Sequence, residues 1–176
     1  MNFSVDLDGV LNFYPLNWLE FLRVEFGLQF ESIEDAKQIL TYAQYKHFKE
    51  LFRASSYETQ APNRLLVIQS LNSLTLSGNR LFVHTSRAVH KSSYFTKTRN
   101  WLETTGLNFS ELAFKTKDSF IDNNIVVHVD DDIEFLKEAS GFSPNLNLFL
   151  FTSQNITSFE TIDELTFLEK VSQILD

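Results

Sequence analysis

The sequence predicts an α/β protein: a doubly wound parallel sheet with a small helical insertion after the first strand. Two patterns carry that expectation. Short apolar, β-branched segments alternate with stretches of helical periodicity along most of the 176 residues, which implies crossover connections and a sheet covered on both faces. Residues 14–61 interrupt the alternation and read as helix after helix.

Five segments read as strands. Residues 2–6 are apolar and end in acid, 80–84 follow the helix stop Gly78, and 125–129 are rich in valine. Residues 146–151 make a fourth strand and 111–114 a short additional one. Helices fall between them. One spans about 62–76, with Pro62 in its first turn. Others cover about 91–104, closed by Gly106, and about 132–139, ending near Gly141. The last covers about 160–175, with Thr157 or Ser158 as its cap. In the insertion, one helix covers about 16–26 and stops at Gly27, and a second covers about 33–53 after the cap candidate Ser32. The domain expectation is a core of residues 1–13 and 62–176, with 14–61 inserted. Trp18, Tyr42, Tyr45, Phe48 and Phe52 lie in the insertion, where they either pack it onto the core or offer rings to a substrate.

Composition narrows the function. Hydrophobic residues make up 43% and charged residues 22%, as in soluble globular proteins, and 18 phenylalanines point to an aromatic core or pocket. The absence of cysteine excludes disulfides, thiolate nucleophiles and cysteine-ligated zinc. No basic segment precedes an apolar run at the N-terminus and no stretch is long enough to span a bilayer, so a cytoplasmic protein with no membrane partner is expected. The formal charge of −8 argues against a protein that grips polymeric nucleic acid through its phosphates. Oligomeric state stays open, a homodimer included.

Ligands of open parallel sheets bind at the carboxyl ends of the strands. Here those ends carry Asp6 and Asp8, then Thr85-Ser86-Arg87, then Asp130-Asp131-Asp132, with Lys115 and Lys117 after the short strand. Carboxylates gathered at one crevice repel unless a cation lies among them. Hard oxygen ligands with open positions suit Mg²⁺. Asp132 also reads as a helix cap.

These residues, in this order, resemble the haloacid dehalogenase-like (HAD) superfamily of phosphohydrolases. Asp6-Leu-Asp8-Gly9-Val10 is similar to its first motif and Leu81-Phe-Val-His-Thr85 to its second. Lys117, with Lys115 as rival, is similar to the third, and Val126-Val-His-Val-Asp130-Asp131 to the fourth. Thr85-Ser86-Arg87, Lys117-Asp118, Asn155 and Ser158-Phe-Glu160 further resemble the 5'(3')-deoxyribonucleotidase type.

The resemblance implies a Mg²⁺-dependent phosphatase that works through an aspartyl-phosphate. Its substrate would be a small phosphate ester, first of all a (deoxy)nucleoside monophosphate. Asp6 is the implied nucleophile and Asp8 the general acid and base. Thr85, Ser86, Arg87 and Lys117 are the implied phosphate-binding residues, with Lys117 offsetting charge in the transition state. Asp131 is the implied Mg²⁺ ligand beside Asp6 and the Asp8 carbonyl, and Asp130 ligates through water or orients that shell. The inserted helices would form the cap that selects substrate.

Four other readings compete. A sugar-phosphate phosphatase and a nucleic-acid 3'-phosphatase use the same chemistry. A catalytically silent HAD-like binding protein would have lost a motif residue. A phospho-accepting receiver domain would place its lysine last. His84 and His128 lie within strands and read as satisfied core histidines, whereas His47 and His90 read as solvent-facing.

Overall fold

The computed structural model describes residues 1–59, 62–87, 91–152 and 158–175; His90, Asn155 and Thr157 lie outside them. In chain order the elements are β1 (Asn2–Asp6), α1 (Leu16–Phe26), α2 (Ile33–Ile39), α3 (Tyr42–Ala54), α4 (Leu65–Leu76), β2 (Arg80–Thr85) and α5 (Ser92–Thr104). Then come β3 (Glu111–Phe114), α6 (Lys117–Asp122), β4 (Val127–Asp130), α7 (Ile133–Ala139), β5 (Asn147–Phe151), β6 (Glu160–Ile162) and α8 (Phe167–Leu175), and a short 3-10 turn covers Tyr57–Thr59.

The chain divides into two compact units, one of Met1–Leu11 with Asn63–Asp176 and the other of Asn12–Pro62. The first holds a single six-stranded sheet of order β3-β2-β1-β4-β5-β6, with every pair parallel. The chain moves outward from β1 through β2 and β3, then returns to start again at β4 beside β1. At such a switch point the connections leaving the two adjacent strands diverge, which opens a crevice at their carboxyl ends. Asp6 ends β1 and Asp130 ends β4.

Side chains of a strand alternate between its faces, and the two faces of this sheet carry different cores. Phe3, Val5, Leu81, Val83, Val127, Val129 and Phe149 pack with α4, α5 and α8 through Val67, Leu71, Leu102, Phe167 and Val171. Phe82 packs on the opposite face with Phe120 of α6, and His84 and His128 contact the Phe120 ring there too. The purely apolar face secures the fold. The other face, which carries Ser4, His84, His128 and Asp130 without exposure to solvent, leads to the polar strand ends.

The helical unit has a core of its own, formed by Trp18, Phe21, Leu22, Ala36 and Phe52. Tyr45 packs edge-on to Trp18 at 5.3 Å between ring centroids, and Phe52 edge-on to Phe21 at 5.5 Å. Of the five rings singled out in the insertion, Tyr42 is exposed.

Several elements differ from the sequence expectation. The 33–53 helix is two helices: Leu40 is extended, and Thr41 starts α3 with a capping box in which Gln44 N–H donates to Thr41 Oγ1 and Thr41 N–H to Gln44 Oε1. The helix expected from 62 begins at Leu65. Residues 160–162 form strand β6, not helix. The turn that follows is set by Asp163 Oδ1, which accepts from the N–H groups of Leu165 and Thr166 at 3.0 and 2.9 Å, and α8 begins only at Phe167. Ser158 precedes β6 and so is not the cap of α8. Helix α6 has no counterpart in the sequence pattern; Thr116 caps it by accepting from Ser119 N–H at 3.3 Å. Asp132 does cap α7, accepting from Glu134 and Phe135 N–H. No helix among the described residues is long and apolar enough to cross a membrane.

Candidate active site

Asp6, Asp130 and Asp131 come together at the switch point, each offering a carboxylate oxygen within 4.8 Å of the others. Asp6 is buried at the end of β1, and Asp130 is fully buried at the end of β4. Asp131 follows on the connection to α7 and keeps access to solvent. Its carboxylate lies against the Gly9 backbone, so that a Cβ on Gly9 would stand 2.0 Å from Asp131 Oδ2. Gly9 also has a φ of +86°, a conformation that side-chain-bearing residues avoid. Arg64, the residue before α4, steadies this turn: its Nε donates to Gly9 O at 3.1 Å, while Nη1 pairs with Glu164.

The lysine of the site is Lys115. Its Nζ donates to Asp130 Oδ2 at 2.7 Å, lies 3.3 Å from Asp6 Oδ1, and sits 4.3 Å from the centroid of the Phe135 ring. Lys117, the position favoured in sequence, is instead exposed in the first turn of α6, and its rival Lys115 is the lysine that the structure brings to the carboxylates. The physical cause is the Thr116 cap. It ends the strand-like run at Lys115, and Lys115 N–H still bonds Thr85 O at 3.0 Å as an extension of the β2–β3 ladder.

Thr85 is buried at the end of β2, and its Oγ1 accepts from Arg87 N–H at 3.1 Å; Ser86 is exposed at the same turn. Arg87, expected among the phosphate-binding residues, is turned inward. Its Nε and Nη2 donate to Asp8 Oδ2 and Oδ1 at 2.9 and 2.6 Å, and its guanidinium lies 5.4 Å from the Trp101 ring centroid. A bidentate fork of this kind fixes the carboxylate's orientation as well as its charge.

Behind the carboxylates lies a pair of histidines. His128 Nε2 is 2.8 Å from Asp130 Oδ2 and its Nδ1 is 2.8 Å from Ser4 Oγ. His84 Nε2 meets Ser119 Oγ at 2.9 Å, and its ring stacks on Phe120 at 4.3 Å. Both rings are buried core histidines, yet His128 contacts the site directly. Strand periodicity could have found it, because residues 128 and 130 must share a face. Nothing local in the sequence marks Arg64.

The electrostatics show carboxylates short of positive charge. Burial, then the Asp130 carboxylate, raises the Asp6 carboxyl well above the ordinary aspartate range; Lys115 opposes this, and Asp131 and Asp8 add to it. Burial, then Asp130, pushes Asp131 up to about 7. Asp130 goes the other way. Burial raises it, but the His128 hydrogen bond and the Lys115 ammonium outweigh burial and hold it below its ordinary value. Burial pulls the Lys115 ammonium down, but Asp6 and Asp130 outweigh burial and keep it above the usual lysine range. Burial lowers His128, and brings His84 down to about 3 with help from His128 and Lys115, so both rings are neutral near pH 7.

The donor set fits a hard divalent cation. Three carboxylate oxygens converge, Lys115 is the ammonium among them, and Asp6 Oδ1 is buried with no hydrogen bond reaching it from the described residues.

No family model matches the chain, and no curated protein matches it in sequence. Solved structures do match its fold. A protein from Thermotoga maritima, assigned provisionally as a β-phosphoglucomutase, superposes with a TM-score of 0.65 at 15% identity, covering 98% of each chain. A HAD hydrolase of family IA, variant 3, from Entamoeba histolytica HM-1:IMSS gives 0.60 at 16% identity over 100% of both chains. The D,D-heptose 1,7-bisphosphate phosphatase from B. bronchiseptica, complexed with magnesium and phosphate, gives 0.59 at 10% identity over 98% of each. The chain therefore has the Rossmann-like parallel fold of HAD hydrolases.

Proposed function

We propose that the protein is a Mg²⁺-dependent phosphomonoesterase that uses Asp6 as its nucleophile. The observation that carries this reading is the convergence of Asp6, Asp130 and Asp131 at the switch point, with Lys115 as the cation between two of them. Asp6 and Asp131 hold the metal, which supplies charge to shield the phosphoryl group from the attacking carboxylate. An Asp6 oxygen attacks phosphorus, the bond from phosphorus to the ester oxygen breaks, and Asp8 gives the departing alkoxide a proton. Asp8 then takes a proton from water, whose oxygen attacks the aspartyl-phosphate and releases Asp6 and inorganic phosphate. Both Asp8 oxygens accept from Arg87, so each proton transfer at Asp8 requires the fork to release one of them. Thr85 and Ser86 bind phosphoryl oxygens at the end of β2. Lys115 stabilises the charge that builds on the phosphoryl group.

The substrate in this reading is a small phosphate ester. A nucleoside monophosphate rests on the resemblance around Thr85-Ser86-Arg87 and the C-terminal strand. A sugar phosphate is supported by what the β-phosphoglucomutase-like and heptose bisphosphate phosphatase neighbours are named for. A phosphate-release screen over nucleotides and sugar phosphates, run with and without Mg²⁺ and with Asp6→Asn as blank, tests the proposal. Release that needs both Mg²⁺ and Asp6 supports it, and the preferred ester decides between the two substrate classes. Release that persists in the blank contradicts it.

A further inference from the structure

We propose that His128, oriented by Ser4, is a positioning residue: it fixes Asp130 and, through Asp130, aims Lys115 at the reacting phosphoryl group. The inference rests on the phosphatase reading above and adds to it a role for two residues on the buried face of the sheet.

Three short contacts run in series. Ser4 Oγ lies 2.8 Å from His128 Nδ1, His128 Nε2 lies 2.8 Å from Asp130 Oδ2, and Lys115 Nζ donates to the same Oδ2 at 2.7 Å. The hydrogen-bond directions follow from the chemistry. An ionised carboxylate only accepts, so His128 donates from Nε2; Nδ1 is then the acceptor and receives the Ser4 hydroxyl proton. The serine thereby selects the histidine tautomer that Asp130 needs, as an outer partner does for a metal-bound histidine.

The backbone sets this geometry. Ser4 and His128 are register partners across the β1–β4 pair, and the two-residue period of β4 puts Asp130 on the same face as His128. Ser4, His128 and Asp130 are all without solvent exposure. The imidazole is hemmed edge-on by Phe120 and Phe135, with ring centroids at 4.8 and 5.7 Å, so it cannot turn away without displacing packed rings. The other Asp130 oxygen accepts from Asp132 N–H at 2.9 Å. Lys115 Nζ is already nearer Asp130 than Asp6, at 2.7 against 3.3 Å. Without the His128 bond, Oδ2 would turn wholly to Lys115 and draw the ammonium further from Asp6.

The test compares His128→Leu, His128→Gln and Ser4→Ala with wild type in Mg²⁺-dependent phosphate release, alongside nitrogen-15 NMR of the histidine rings. His128→Leu should lower kcat about 10–100-fold, the range seen when an outer hydrogen-bond partner of a site is lost, with KM within about twofold. Glutamine, whose amide can donate near the position of Nε2, should restore most of that loss, and Ser4→Ala should give a smaller fall in kcat. Wild-type His128 should show a neutral ring protonated at Nε2. If His128→Leu fails to fold, the Gln and Ala variants and the spectrum carry the test. An active wild type with unchanged kcat in the folded variants overturns the positioning role and leaves the phosphatase reading intact. A wild type without Mg²⁺-dependent release overturns the phosphatase reading. In that case a His128 ring protonated at Nδ1, or doubly protonated, overturns the relay as well.

Discussion

Replacing Lys115 with methionine removes the cation that two buried carboxylates share, at nearly constant side-chain volume. Its side chain is 4% exposed, with Asp130 Oδ2 at 2.7 Å and Asp6 Oδ1 at 3.3 Å. At an effective dielectric of about 20, each contact is worth roughly 5–6 kcal/mol of gross Coulomb attraction. Burial of the three groups offsets most of that. The net cost of removing one partner from a buried ion pair is about 3–5 kcal/mol, because the remaining charge is left uncompensated. For a chain of this size that corresponds to a fall in Tm of roughly 6–20 °C. The loss should depend on pH. Without Lys115 the Asp6 and Asp130 carboxyls bind protons more readily in the folded state, so the deficit is largest at alkaline pH and shrinks as pH falls. Urea denaturation at pH 8 and pH 5 in metal-free buffer, with Lys117→Met as control, measures this. The exposed Lys117 should cost within about 0.5 kcal/mol. Equal stability of the Lys115 variant and wild type at pH 8, or a larger loss from Lys117, would refute the placement of Lys115.

Further outcomes follow from the same geometry. The raised carboxyls of Asp6 and Asp131 bind protons more tightly folded than unfolded, so their contribution to stability falls as pH rises. For Asp131 the window runs from the ordinary aspartate value of 3.8 to about 7. Metal-free protein should lose stability across that window relative to Asp131→Asn, and Mg²⁺ at about 100 times its Kd should restore roughly 2.7 kcal/mol at pH 7.5; a Tm indifferent to millimolar Mg²⁺ contradicts this. Gly9→Ala combines a φ of +86° with a Cβ 2.0 Å from Asp131 Oδ2, so it should cost about 1 kcal/mol or more and weaken Mg²⁺ binding by calorimetry. Unchanged Mg²⁺ affinity would show that Asp131 does not need its place over Gly9. Arg87→Gln removes the fork that orients the Asp8 carboxylate for proton transfer. Loss of that orientation should lower kcat far more than it raises KM, whereas a pure KM effect would return Arg87 to substrate binding.

The convergence of Asp6, Asp130 and Asp131 was legible because strand ends are local features, and the parallel sheet brings those ends together regardless of detail. The lysine was not, since choosing Lys115 over Lys117 requires knowing where β3 gives way to α6, and a single Thr116 side chain decides that. The Arg87–Asp8 fork joins residues distant in sequence, and no composition or spacing marks it. The missed start of β6 has a similar cause: Thr161 and Ile162 pair with β5 through a register visible only in three dimensions. The break in the insertion at Thr41 was readable in principle, since Thr41-Tyr-Ala-Gln44 has the spacing of a capping box.

The central claim is that Asp6 becomes phosphorylated during turnover. Rapid acid quench of the enzyme with Mg²⁺ and a phosphorus-32-labelled ester, followed by peptide mapping, tests it most directly. The label should appear on the peptide that contains Asp6, be lost in hydroxylamine, and be missing in Asp6→Asn. Label on another residue, or steady turnover with no phosphoenzyme and full activity in Asp6→Asn, would contradict it.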